Sequence, residues 1–321
     1  MNNSIRFATA AAALALASLA QAQAWPAKPV KIVVPYPPGG AVDVVTRKMA
    51  AKLQEQTGQT FYVENKAGAT GTIGLSQVVH SPADGYTLAA NDTTYALLPH
   101  IFKKLPFDYA NDLIPVSAFV FAPMGVVVKA DSKFKTLGDL IAAGKADPGK
   151  VTYGTGGAGT TPHFVSEALA IAAGVKFTHI PFKGAGEATL GMLSGTVDFQ
   201  VASTPGVMGN VKGGKARLLA VSGNKRLAAL PDVPTFGEAG VKNFGLINFT
   251  GIWAPKGTPQ AVIDRLQKEI ATAMASPEMK TFSEGIASEP AYWDAATFAK
   301  DLSERTAYWG KVAANTAFER Q

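Results

Sequence analysis

The chain has 321 residues, 47% of them hydrophobic and 17% charged, a balance that excludes an intrinsically disordered protein. With 30 Lys+Arg against 24 Asp+Glu the net charge is +6, and the absence of a basic run excludes a nucleic-acid footprint. No cysteine is present, which excludes disulfides, cysteine metal sites, thiol nucleophiles and a lipid-modified cysteine.

Arg6 precedes an apolar run from Phe7 to Leu19, and Ala22-Gln23-Ala24 follows as a small-x-small cleavage pattern. The run is about 13 residues, too short for a ~30 Å hydrocarbon layer, so residues 1–24 read as a secretory signal peptide cleaved after Ala24. Loss of Arg6 leaves a mature charge of +5. No later stretch is apolar enough to span a bilayer. The expectation is an exported, soluble protein of a Gram-negative periplasm.

Val30 to Tyr36 is an almost unbroken apolar run, as suits a strand buried on both faces of a parallel sheet. After Pro37-Pro38-Gly39-Gly40, the spacing of Val42, Val45, Met49 and Leu53 predicts a helix stopped by Gly58. Phe61 to Glu64 reads as a strand, Gly71 to Ser81 as a helix and Tyr86 to Ala90 as a strand. That order implies right-handed parallel crossovers.

A second series predicts strands at Gly125–Lys129, Val151–Tyr153, Phe177–Pro181, Val197–Ala202 and Ala216–Val221. Between them fall helices at Thr136–Lys145, Thr161–Ala173, ended by Gly174, and Glu187–Ser194. Ile247 to Ala254 is strand-like. Thr258-Pro259 opens a helix with the stripe Val262, Leu266, Ile270 and Met274, ended at Ser276-Pro277. Phe298, Leu302, Trp309 and Val312 mark a last helix; these stripes read as core. The fold class expected is therefore α/β with two lobes, each a mostly parallel sheet flanked by helices. Residues 25–120 and 251–321 form the first lobe and 121–250 the second, with crossings near 117–125 and 245–254 and a ligand cleft between.

The loop from Pro35 to Asp43 joins a buried strand to a helix, where open α/β sheets bind ligands. Its glycines admit close approach to the backbone, and the helix start favours an anion such as a carboxylate. A plain tight turn, with Asp43 as a helix cap, is the competing reading.

Gly154 to Gly159 (GTGGAG) matches G-x-G-x-x-G, but Lys176 to Pro181 lacks the acidic residue that a dinucleotide site needs. What remains is an anion-friendly helix start beside Thr160 and Thr161, the second lobe's counterpart of Pro37-Pro38-Gly39-Gly40 and expected to face it across the ligand. His163 and Glu167, four apart, allow an acid–base pair or a structural prop. Lys183 either meets a ligand anion or is solvated. Ser203-Thr204 and the segment Asn91 to Tyr95 place hydroxyls at further strand ends. Tyr36, Tyr95 and Phe182 either line the cleft or pack within a lobe. No zinc spacing, Walker A loop, G-x-S-x-G nucleophile or carboxylate dyad occurs, so neither cofactor nor metal nor catalysis is expected.

The segments WPAKPVKIVVPYPPGGAVD, VENKAGATGTIG, SPADGYTL, YGTGGAGTTPHFVSEAL, IPFKG with SGTVDF, and LAALPDVPTFGEAGV followed by GIWAPKGTP, in this order, are similar to those of tripartite tricarboxylate transporter receptors, the Bug family. The resemblance covers nearly all of the mature chain. It implies a two-lobed, type II periplasmic-binding-protein fold that holds a small organic carboxylate and delivers it to a membrane permease. It implies ligand contacts at Pro38, Gly39, Gly40 and Asp43 on one side, and at Gly157, Thr160, Thr161 and His163, with Gly184 and Ser203, on the other; Tyr36 as a cleft-lining ring and Thr93 as a strand-end hydroxyl complete the expected set. Family members often carry Arg-Pro where this chain has Lys66-Ala67, and the loop Asn91 to Tyr95 is individual, so the acid is not named by the resemblance. A monomer is expected. The alternatives are a sensor partner that binds the same ligand for signalling, and an exported hydrolase or lyase using His163 and Glu167.

Overall fold

The structure, a computed structural model, describes residues 25–241, 247–316 and 318–321. The signal segment and its cleavage after Ala24 lie outside the described residues.

Strand β1 (Val30–Val34) is fully apolar but for Lys31, and its valines and Ile32 are wholly buried. It pairs in parallel with β2 (Phe61–Asn65) on one edge and β3 (Thr87–Asn91) on the other. Helix α1 (Ala41–Thr57) connects β1 to β2, and α2 (Thr72–Val79) leads to β3. Gly58, at φ 69°, closes α1 in the left-handed conformation that glycine adopts without a Cβ penalty. Helix α3 (Thr94–Ile101), which the sequence pattern does not delimit, starts directly after β3.

The longest strand, β4 (Leu113–Lys129), is the principal departure from expectation. The sequence pattern marks only its last five residues as strand. Pro115 and Pro123 interrupt the donor row of an ordinary ladder. The structure absorbs these irregularities with register shifts at Pro115/Ser117 and Phe119/Phe121, and Val120 there adopts φ 52°. Its first part pairs antiparallel with β9 (Ile247–Pro255) and β10 (Glu289–Trp293). Its second part, from Met124, pairs antiparallel with β7 (Phe199–Ser203) and β8 (Ala216–Val221). β7, β5 (Thr152–Thr155) and β6 (Thr178–Pro181) are mutually parallel. The sheet order is β2-β1-β3-β9-β4-β7-β5-β6, with β8 and β10 also on β4. Each half is thus mixed rather than mostly parallel, because β9 runs antiparallel to β3 in the first half and β4 runs antiparallel to β7 in the second. The two segments expected as crossings fall in this pair, 117–125 within β4 and 247–254 within β9; residues 242–246 lie outside the described residues.

Helices α4 (Leu137–Ala146), α5 (Thr161–Ala173) and α6 (Ala185–Ser194) flank the second half, followed by the single turn α7 (Met208–Lys212). Helix α8 (Gln260–Ala275) ends at Ser276, whose hydroxyl caps α9 (Pro277–Gly285). Pro277 thus starts a helix as well as ending one. The last helix, α10 (Ala295–Ala314), buries Phe298, Leu302 and Trp309. One core cluster packs α1 and α8 against β1 and β9. A larger one runs through both halves, joined where Phe164 of α5 meets Trp309 of α10 edge-on at 6.2 Å.

Candidate ligand-binding cleft

Five connections leave the carboxyl ends of β1, β3, β5, β6 and β7 and meet around one cleft. Tyr36, Gly40 and Asp43 come from the first, Asp92 and Thr94 from the second, and Gly156, Thr160 and Pro162 from the third. Gly184 and Ala185 come from the fourth and Ser203 from the fifth, with Gln200 and Asn248 inside strands β7 and β9. Together they surround about 700 Å³ of space free of protein atoms, part of it open to solvent.

Four helices begin here: α1 after Gly40, α3 after Thr93, α5 after Thr160 and α6 after Gly184. None of these four N-cap residues makes a side-chain capping bond. First-turn amides have no acceptor within their own helix, and the aligned peptide dipoles add a partial positive charge. Several helix starts around one space make an anion site without any cationic side chain.

The loops touch one another across the cleft. A methyl group placed on Gly184 would come within 2.7 Å of Pro37 Cγ, so only glycine lets these turns approach so closely. One placed on Gly40 would lie 3.7 Å from Ala185 Cβ. The turn that faces Pro37-Pro38-Gly39-Gly40 most closely is therefore Phe182 to Ala185. The glycine-rich turn instead meets α3 and the loop before α2: Thr161 N–H donates to Thr94 Oγ1 at 3.2 Å, and Thr70 Oγ1 donates to the Ala158 carbonyl at 3.0 Å.

Two carboxylates stand on the wall. Burial pushes the Asp43 carboxyl up, but Arg47, the Gly39 amide at 2.9 Å and Asn65 outweigh burial and hold it below the ordinary range. Asp92 is buried at the edge of the cleft, and burial raises its carboxyl against the opposing hydrogen bonds of Thr94, Asn248 and Tyr36. Burial and the charge of Asp92 push the Tyr36 phenol well above its ordinary value. It therefore stays protonated and donates to Asn91 Oδ1 at 2.6 Å.

Of the residues expected to hold ligand, Tyr36, Gly40, Asp43, Thr160, Gly184 and Ser203 line the cleft. Pro38, Gly39, Thr93, Gly157, Thr161 and His163 are not among the lining residues, and Pro38 and Gly39 are exposed. Pro38 completes the turn and Gly39, at φ 87°, directs its amide to Asp43. Thr93 N–H donates to Asn248 Oδ1 at 3.1 Å, and the Gly157 carbonyl accepts from Thr160 Oγ1 at 2.8 Å. The His163 and Glu167 side chains are engaged separately. His163 Nδ1 accepts from the Gly159 amide at 3.2 Å, while Glu167 accepts from the Tyr153 hydroxyl. The His163 ring stacks on His179 at 4.1 Å, and His179 contacts Thr155 Oγ1 at 2.7 Å. Burial lowers His163 to about 3 and His179 to about 4, His163 also through its neighbour. Both rings are thus neutral props of the glycine-rich turn.

Tyr95 stacks within the core between Tyr109 and Trp253, and Phe182 packs over Gly154 and Gly191. Lys183 is not on the wall; its amide donates to Glu187. Gln200 and Asn248 are absent from the residues that the sequence points to. Their signal is a lone amide inside an apolar strand, in FQVAS and INFTGIWAP.

Residues 45–317 match the family model described as the tripartite tricarboxylate transporter family receptor. Protein BugT of Bordetella pertussis is 34% identical over 278 residues, covering 86% of this chain and 84% of that one. A solved R. palustris protein with adipate is 29% identical, with a TM-score of 0.87 over 90% of this chain and 97% of that one. MatC from Rhodopseudomonas palustris with bound malate is 25% identical, with a TM-score of 0.83 over 90% of this chain and 100% of that one. The architecture is that of periplasmic binding proteins.

Proposed function

Because this chain belongs to the tripartite tricarboxylate transporter receptor family, we propose that it captures a small organic carboxylate between two lobes and delivers it to the membrane transporter of that family. The family is one of periplasmic solute receptors, and export with cleavage after Ala24 is part of the proposal. The lobes are residues 25–120 with 251–321, and residues 121–250. The working unit is a monomer.

The observation that carries this reading is the convergence of four helix starts on one cleft: the first amides of α3 and α5 already meet Asp92 and Thr94, and those of α1 and α6, whose N-caps are glycines, face the space. Tyr36, Gly40, Asp43, Thr160, Gly184 and Ser203 form the contact surface. Pro38, Gly39, Thr93, Gly157, Thr161 and His163 set the loops that carry it. The relatives with adipate and malate support a carboxylate as the ligand class. Ligand bound from both lobes favours the closed arrangement over an open one by its differential affinity, and the closed shape is what the transporter recognises.

A thermal-shift screen of carboxylic acids on the mature chain tests this reading. A ligand at 100 times its dissociation constant adds about 2.7 kcal/mol of stability. A raised melting temperature with one or more acids is expected. No shift with any acid, confirmed by calorimetry, overturns it.

A further inference from the structure

We infer that Asp92 determines specificity in this cleft, and that the ligand it selects is a carboxylic acid carrying an ammonium group, an amino acid rather than a plain dicarboxylate. The inference rests on the receptor reading above and concerns the same cleft.

Among the described residues the wall carries two carboxylates, Asp43 and Asp92, and no lysine, arginine or histidine. Asp43 already has its counter-charge: Arg47 meets it at 3.0 Å, and Asn65 and the Gly39 amide complete its shell. Asp92 is 8% exposed, and no cation pairs with it among the described residues. Its partners are neutral. Oδ1 accepts from the Thr94 amide at 2.9 Å and from the Tyr36 hydroxyl at 3.4 Å, and Oδ2 accepts from Asn248 Nδ2 at 3.1 Å.

The Thr94 bond closes the turn that leads into α3, so a capping role accounts for Oδ1. It does not account for Oδ2. Tyr36 sends its shorter bond to Asn91 Oδ1, which leaves the one to Asp92 long and weak. A carboxylate has roughly four acceptor positions. With the Thr94 hydroxyl also beside it, every donor to this carboxylate is neutral, and a charged donor is the one it lacks. A buried charge without a partner is costly, and the raised carboxyl of Asp92 reflects that cost. An ammonium group arriving with the ligand supplies both the missing charge and the missing donor.

The same cleft offers the first-turn amides of α1 and α6 to a carboxylate. Amide donors and a bare carboxylate together complement a zwitterion. A plain dicarboxylate would set a second negative charge near Asp92, with no cation among the described wall residues to separate them.

Calorimetry on the mature chain with acids paired to differ only in the amine tests this: glutamate with glutarate, aspartate with succinate, alanine with propionate, and phenylalanine with 3-phenylpropionate. For at least one pair the amino member is expected to bind about tenfold or more tightly than its counterpart. Asp92→Asn is expected to abolish that preference. Because the pairs are compared on the unaltered chain, the test stands whether or not the variant folds. Deaminated acids that bind as tightly as their partners in every pair, or a preference that survives in Asp92→Asn, overturn the inference and leave the receptor reading in place. A chain that binds no acid of either kind overturns both.

Discussion

The hydroxyl of Thr94 lies 2.9 Å from the hydroxyl of Thr161, joining the start of α3 to the start of α5. Thr94 Oγ1 also accepts the Thr161 amide. On the proposed division, these bonds tie one lobe to the other, so they exist only when the lobes are together. Thr94→Val removes both. A hydrogen bond contributes about 0.5–1.5 kcal/mol net, so ligand affinity should fall by a factor of about 2 to 13 per bond lost. Calorimetry of Thr94→Val, Thr161→Val and the double variant would show non-additive losses if the pair acts as one latch. Independent, additive losses would show that it does not.

Gly184 and Pro37 set a second closure contact. A side chain at Gly184 must displace Pro37, because its Cβ would lie 2.7 Å from Pro37 Cγ. Gly184→Val should hold the two turns apart and weaken ligand binding by about tenfold or more, with small-angle scattering showing a larger radius in the presence of ligand. Unchanged affinity would mean that this approach is not part of the bound state.

The stacked imidazoles give a pH dependence with a defined sign. In the folded chain His163 and His179 titrate at about 3 and about 4, below the ordinary 6.5. Below pH 6.5 the unfolded chain takes up protons that the folded chain refuses. Their stabilising effect is therefore complete above that pH and is lost progressively toward pH 4. A tenfold difference in proton affinity between the folded and unfolded chain corresponds to about 1.4 kcal/mol per group. Asp92, with a raised carboxyl, works in the opposite sense. The comparison that isolates the imidazoles is thus wild type against His163→Gln. The variant should show a shallower fall of melting temperature between pH 6.5 and 4. Parallel curves would contradict the neutral-prop assignment.

Trp309 is wholly buried, with Phe164 of the second half edge-on to it. Trp309→Ala should cost about 3–5 kcal/mol, read from urea or thermal unfolding. A loss under about 1 kcal/mol would mean that this end of α10 is not a shared core.

The βαβ elements are legible because their signals are local. Val42, Val45, Met49 and Leu53 repeat at helical spacing, and Gly58 and Gly174 stop helices with φ 69° and 64°. The loops of the cleft are legible for the same reason, as glycines between an apolar strand and a helical stripe. β4 is not, because Pro115, Pro123 and the left-handed Val120 break the pattern of a continuous strand, and pairing with β7, β8, β9 and β10 overrides that local grammar. Helix α3 carries Pro99 and few polar residues, which hides its period. The sequence also suggests the glycine-rich turn as the partner of Pro37-Pro38-Gly39-Gly40. Which loop faces which depends on how the two sheet halves meet, a long-range property absent from either segment. Gln200 and Asn248 are hidden for a related reason: their amides matter only once β7 and β9 bring them to the wall.

The central claim is that main-chain amides at helix starts on both lobes hold the acid. A crystal structure of the mature chain with a bound acid tests it most directly. The account predicts a ligand carboxylate within hydrogen-bond distance of the first-turn amides of α1 and of α5 or α6, with Tyr36 and Ser203 beside it. A ligand seated away from these turns, or held by one lobe alone, would contradict it.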